Sequence, residues 1–318
     1  MMQSARFLRG LSIRNPPAMH DLCLLCKSYH IDFLRLKRLL ESIQAFNKDD
    51  IPVYVSTPED ERELLESVIG SEFDYQWVSD EEIIRSNPMT RSEVVAKTAP
   101  YVAQGIIKAE FWRLGLAENY LCIDSDSRFL RHFSRSDFIH ASGTPYTVFH
   151  ENKELLQIAR NRGKHRVVSD HFEELNAVKK IFPRKGPDYS FMPSPFLWSA
   201  RVWQSLESEM LAKQGLTLWD LVARGVGEYH WYGEALLAWE AIPIHPVEPY
   251  FRVYHYDWQY YFLKRMGENE QLVSDNFMGV IYQSNWESEM DYGTPKKSLP
   301  SRLLRRLKRV VRMLESYL

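Results

Sequence analysis

Residues 120–131 read YLCIDSDSRFLR. Tyr120 to Ile123 form an unbroken apolar run, which suits a strand buried on both faces. The run stops at Asp124-Ser125-Asp126. Two carboxylates one residue apart at a strand end can share one hard cation, which prefers oxygen ligands and keeps open positions for phosphate oxygens. A cation held there can bridge a diphosphate and neutralise charge building on it as it departs. The plain alternative is a solvated strand end, because Asp-x-Asp is short and common. Against it, two like charges this close repel, and a cation removes that penalty.

Working outward, residues 21–26 (DLCLLC) predict a short buried strand ending at Lys27-Ser28-Tyr29. Phe33, Leu36, Leu39, Leu40, Ile43 and Phe46 then repeat with a helical period over 32–46. Residues 52–56 (PVYVS) predict a second strand. Pro58 opens a helix whose Leu64, Leu65, Val68 and Ile69 share a face, with Gly70 as its stop. A third strand is expected near Tyr75–Val78, and a helix over Tyr101–Gly115 leads into the Asp-x-Asp strand. Strands alternating with helices in this way imply an α/β fold with a mainly parallel sheet flanked by helices. Ligands in such sheets bind beyond the carboxyl ends of strands, so Lys27, Ser28 and Asp124–Asp126 are expected at one crevice. Beyond residue 134 the pattern is less regular. A strand is expected at 145–150, and helices with a mobile loop over the site at 151–187. A strand broken by prolines is expected at 189–198, with helices at 202–211 and 216–222. A further helix is expected to start near Glu228.

The 318 residues contain three cysteines, Cys23, Cys26 and Cys122. The C-x-x-C pair lies inside an apolar strand with no second pair, so core thiols in a reducing cytoplasm are expected rather than a zinc or redox site. No apolar run is long enough to cross a bilayer, and residues 1–17 lack the hydrophobic core of a signal peptide. The chain nets −2, but residues 296–318 carry eight Lys/Arg and one acid. The remainder therefore holds 32 basic and 41 acidic residues. In the tail Leu303, Leu304, Leu307, Val310, Val311 and Leu314 share one helical face, and basic residues fill the other. This reads as an amphipathic helix on an anionic membrane, at the inner face of the cytoplasmic membrane. The leucine-rich face argues against nucleic acid. Docking of the helix on its own domain is the alternative.

Four stretches resemble bacterial glycosyltransferases of the GT-A fold, especially a loosely characterised group found with polysaccharide biosynthesis genes. They are residues 21–43 (DLCLLCKSYHIDFLRLKRLLESI), 103–133 (AQGIIKAEFWRLGLAENYLCIDSDSRFLRHF), 194–206 (SPFLWSARVWQSL) and 228–239 (EYHWYGEALLAW). The second is the most specific, and together they span residues 21 to about 290. The resemblance implies a GT-A-like (Rossmann-like) domain over 1–295, with a nucleotide-binding half about 20–133 and an acceptor half about 134–295. It implies a metal-dependent glycosyltransferase using Mn²⁺ or Mg²⁺, a nucleotide-sugar donor and a glycan acceptor, lipid-linked at the membrane. A haloacid-dehalogenase-type phosphatase also places Asp-x-Asp after a strand, but Arg128 stands where Thr or Val is usual. A non-catalytic nucleotide-sugar or glycan-binding protein is the other alternative.

On the resemblance Asp126 is the direct metal ligand, and Asp124 binds the ribose, the metal through water, or both. Lys27, Ser28, Tyr29 and Ser125 join the nucleotide site. Gln104 and Lys108, one helical turn apart, lie beside it. Lys108 would offset diphosphate charge, with a surface salt bridge as the plain alternative. An attacking sugar hydroxyl needs a carboxylate within hydrogen-bond reach, and Glu228 and Glu234 compete for that part. Six residues apart on a helix, they point in different directions. Glu228 matches the group's acidic position, and as a base it would make transfer inverting. His255 is a further metal candidate, with ordinary packing as its alternative. Trp198, Trp231 and Tyr232 either stack on acceptor sugar or fill the core.

Overall fold

The computed structural model describes residues 19–192, 194–222, 227–287 and 298–315. Strand β1 (His20–Lys27) opens it, followed by helix α1 (Phe33–Phe46) and β2 (Val53–Thr57). The helix expected after Pro58 begins with a 3₁₀ turn and continues as α2 (Arg62–Ile69), ending at Gly70 with φ +83°. That left-handed backbone suits glycine, which has no Cβ to clash. Next come β3 (Gln76–Ser79) and α3 (Asp80–Arg85), where the Ser79 hydroxyl accepts from the Glu82 amide and caps the helix. Helices α4 (Ser92–Lys97) and α5 (Pro100–Glu110) follow, the latter with proline in its first turn, where no amide is needed. A 3₁₀ turn and Gly115, φ +65°, lead into β4 (Ala117–Cys122).

Strands β3-β2-β1-β4 run parallel in that spatial order, which is the mainly parallel sheet the alternation predicts. Side chains alternate across it. Cys23, Leu25, Tyr120 and Cys122 enter one core, while Leu22, Leu24, Cys26, Leu121 and Ile123 enter the other. All three cysteines are buried, unbridged thiols, as expected of core residues. Burial pushes the Cys23 and Cys26 thiols well above their ordinary range.

The rest of the chain adds an edge strand to this sheet and builds a three-stranded and a two-stranded sheet beside it. After β5 (Ser127–Phe129), β6 (Thr147–Val148), α6 (Lys153–Asn161) and α7 (His165–Lys179), strand β7 (Phe196–Ser199) pairs antiparallel with β4 at the sheet's edge. The strand expected at 145–150 is therefore only two residues long, and the strand expected within 189–198 starts after the prolines. Helix α8 (Ala200–Leu206) runs through a wider π turn into α9 (Ala212–Gln214), with α10 (Leu218–Val222) and α11 (Glu228–Trp239) beyond. Strand β8 (Pro246–Val247) pairs with β6, and β9 (Phe251–Tyr254) follows. The last elements are α12 (Asp257–Arg265), α13 (Glu270–Asn276), β10 (Gly279–Tyr282), α14 (Ser284–Glu287) and α15 (Leu299–Glu315). Strand β10 lies between β5 and β9, antiparallel to the first and parallel to the second.

Helix α15 runs beside α12. Leu303, Leu304 and Leu307 are 70%, 57% and 64% exposed. Among the described residues no helix is long and apolar enough to cross a membrane.

Candidate functional site

A cavity of about 490 Å³ opens at the carboxyl ends of β1 and β4, where the sheet's topology predicts a ligand. It gathers Lys27, Tyr29, Gln104, Lys108, Asp124, Ser125 and Asp126 from the first half, with Glu228 and His255 from the second. Two expected site residues fall outside its lining, Ser28 and Glu234.

The turn after β4 sets the two carboxylates. The Ser127 amide donates to the Asp124 carbonyl at 3.0 Å, so the chain reverses at once into β5. Asp124 keeps about a third of its side chain exposed to the cavity. The Asp126 carboxylate accepts from the Ser284 amide at 2.7 Å. That amide lies just beyond β10, so the small sheet carries the second carboxylate's support.

Lys108 reaches the site from the last turn of α5. Its ammonium is buried and donates to the Asp124 carboxylate. Burial alone would depress this amine, but the Asp124 and Glu228 carboxylates hold it net above its usual range. Lys108 is thus a buried, charged partner of the motif and not a surface lysine.

Glu228 is the first residue of α11 and is also buried. Burial raises its pKa and Lys108 opposes the rise. Its carboxylate lies over α5 at Gly105, where an added Cβ would stand 2.1 Å from Oε2. A carboxylate raised in this way and facing a cavity is suited to accept a proton. Glu234, six residues further along α11, is placed differently. Its carboxylate is held by the Arg184 guanidinium, with Nη2 donating to Oε1 at 2.6 Å, and both side chains are about 5% exposed. The pair ties the 183–187 turn to α11. Glu234 is a structural anchor, because six residues along a helix turn its side chain away from the cavity.

Lys27 lines the cavity but is already paired, 2.8 Å from the Asp80 carboxylate, with its ammonium also donating to the Ser28 carbonyl at 2.6 Å. Ser28 is buried beside β2, its amide donating to the Ser56 carbonyl. Its hydroxyl has no hydrogen-bond partner among the described residues. Tyr29 stands at the rim, 38% exposed. His255 lines the wall, with its amide donating to Gln259 Oε1 at 2.9 Å. Burial, with His150 and His171 nearby, pushes its imidazole down to about 4. Among the described residues no three His, Cys, Asp or Glu side chains converge to hold a metal, so His255 does not complete a triad with the two aspartates. Trp198, Trp231 and Tyr232 are buried in the core and present no face to a sugar.

Several lining residues carry no signal in the sequence. Tyr101, 76% exposed, joins Tyr29 at the edge. Asp32 faces the cavity with its carboxylate paired to Arg35. Glu174 reaches in from α7, accepting from the Tyr229 hydroxyl at 3.2 Å.

The two aspartates fit a divalent cation. They supply hard oxygen ligands on a cavity wall and leave most coordination positions to water and phosphate, as Mg²⁺-type sites do.

The fold is shared with a solved structure, the apo form of mouse xyloside xylosyltransferase 1. The match has a TM-score of 0.50 at 10% identity and covers 87% of this chain and 99% of the other. At that identity the likeness is one of fold, a GT-A-like mixed α/β architecture with a mostly parallel sheet. No curated protein matches the sequence. The family model described as "Family of unknown function (DUF6492)" matches residues 20–278, most of the chain, and the chain therefore belongs to that family.

Proposed function

We propose that the protein is a metal-dependent glycosyltransferase that moves a sugar from a nucleotide-sugar donor to a glycan acceptor. One observation carries this reading. Two strand-end carboxylates, Asp124 and Asp126, share a cavity with a separate buried carboxylate, Glu228. A leaving diphosphate and an attacking hydroxyl need those two groups on one cavity. The fold likeness to a xylosyltransferase is consistent with it.

Asp124 and Asp126 would hold Mn²⁺ or Mg²⁺, which supplies charge neutralisation for the departing diphosphate. The chain's own groups do the rest. Glu228 accepts the proton of the attacking hydroxyl, helped by burial that raises its basicity. Direct displacement assisted by such a base inverts the anomeric centre. Tyr29 and Tyr101 offer exposed rings to the base or sugar at the rim. The acceptor we favour is a lipid-linked glycan of surface-polysaccharide synthesis at the inner membrane face. The support for it is α15, whose leucines stay exposed while basic residues crowd the same helix.

The reading is tested by thermal stabilisation against a panel of nucleotide sugars with Mn²⁺. A nucleotide sugar that raises Tm with Mn²⁺ and not with chelator is expected. No stabilisation by any member of the panel would count against it.

A further inference from the structure

The Asp-x-Asp pair does not stand alone in the cavity. We infer that Lys108 is an internal counter-cation that keeps the Asp124–Asp126 site weak for a bare divalent cation and makes cation binding depend on a diphosphate. The inference rests on the metal-dependent reading above only in taking these two aspartates as cation ligands.

The geometry is specific. The Lys108 ammonium donates to an oxygen of Asp124, the more exposed of that ion pair, and its own side chain is 6% exposed. A cation approaching Asp124 meets a fixed positive charge within a few ångströms. Water screens that repulsion poorly, because the lysine is buried. The lysine cannot swing out without stranding Glu228, the other carboxylate that acts on it. Asp126 is braced independently by the Ser284 amide, so its position does not depend on Lys108.

A diphosphate changes this balance. It brings negative charge that attracts both the cation and the ammonium, turning repulsion into a shared contact. Cation and diphosphate then bind cooperatively, and by linkage each tightens the other by the same factor. The protein would neither collect Mn²⁺ nor expose it to water without a donor.

The test is titration of free Mn²⁺, followed by its paramagnetic resonance signal, into the full chain with and without inorganic diphosphate. For the wild type, weak binding of Mn²⁺ alone is expected, tightened roughly tenfold or more by diphosphate. Lys108→Met should bind Mn²⁺ alone roughly tenfold or more tightly than wild type, with a smaller gain from diphosphate. Adding Asp126→Asn to Lys108→Met should abolish that gain in affinity, which places the ion at the pair. Removal of Lys108 leaves buried Glu228 without its counter-charge, so Lys108→Met/Glu228→Gln, which removes one charge of each sign, is the second variant. It should show the same tighter Mn²⁺ binding. Mn²⁺ binding by folded Lys108→Met, or by folded Lys108→Met/Glu228→Gln, that is equal to or weaker than wild type overturns the inference. So does tight binding of Mn²⁺ alone by the wild type. Failure of every nucleotide sugar to bind would sink the glycosyl-transfer reading and leave these Mn²⁺ titrations fully interpretable.

Discussion

The Glu228 carboxylate occupies the space where residue 105 would carry its Cβ. Oε2 lies 2.1 Å and Cδ 2.5 Å from that point. Gly105 sits inside α5, where glycine costs about 1 kcal/mol relative to alanine. On helix propensity alone Gly105→Ala would stabilise the protein. Here it must push the Glu228 side chain off its perch. We expect Gly105→Ala to keep Tm within a few degrees and to lower turnover roughly 10²-fold, the scale of a misplaced catalytic group. Unchanged turnover in a steady-state assay would mean that Glu228 acts from elsewhere or not at all.

The two carboxylates of α11 should separate cleanly on mutation. Glu228→Gln keeps shape and removes basicity, so turnover should fall ~10²–10⁴-fold with donor affinity retained. Glu234→Ala breaks a buried pair and leaves the Arg184 guanidinium uncompensated. That should cost about 3–5 kcal/mol of stability, with turnover at low temperature nearly intact. Chemical denaturation together with kinetics on both variants checks the contrast. The reverse pattern would transfer the base to Glu234.

His230 gives the acid limb of stability a definite sign. Burial, with His171 nearby, pushes its imidazole down to about 3. Above pH 6.5 it is neutral folded and unfolded and contributes no pH dependence. Below that, the unfolded chain takes up a proton the folded chain refuses. Stability then falls by up to about 1.4 kcal/mol per pH unit until about pH 3. His230→Gln should show a shallower acid slope than wild type in denaturant titrations between pH 6.5 and 4. Equal slopes would mean His230 is protonated in the fold, where Glu174 lies 3.8 Å away.

Helix α15 predicts a membrane response. Each Lys or Arg near an anionic leaflet contributes about 1 kcal/mol, and the exposed leucines add an apolar term. Full-length protein should co-sediment with anionic vesicles and be released by salt, which screens the charges. Protein ending at residue 295 should stay in solution. It should keep its activity on a soluble acceptor analogue and lose activity on a lipid-linked one. Equal sedimentation of both forms, or of neither, would sink the membrane role of α15 and favour its docking on the protein's own body or on a partner.

What the sequence disclosed follows the range of the physics. The apolar runs of β1 and β4, the period of α1 and the abrupt change at Asp124 are local, and each was legible. The antiparallel pairing of β7 and the β5–β10–β9 sheet are not local. Nothing near Asp126 announces that Ser284, 158 residues on, supplies its amide. Glu228 is preferred to Glu234 only through the resemblance, and it is the orientation of α11 that turns one to the cavity and the other to Arg184. Lys108 was legible as a neighbour of the motif, but its burial, and so its grip on Asp124, depends on packing that periodicity does not encode. Tyr101, Asp32 and Gly105 join the site only through the arrangement of α1 and α5 around the strand ends.

The central claim is that a cation on Asp124 and Asp126 holds a nucleoside diphosphate in this cavity. Calorimetric titration of nucleoside diphosphates into wild type and Asp126→Asn tests it, with Mn²⁺ present or chelated. Asparagine keeps an oxygen for the Ser284 amide and removes the charge, so the turn should survive. At least one nucleoside diphosphate should bind wild type with Mn²⁺. Its affinity should fall roughly 10-fold or more in chelator, and comparably in folded Asp126→Asn. Equal affinity under all three conditions, or no binding to wild type with Mn²⁺, would contradict the account.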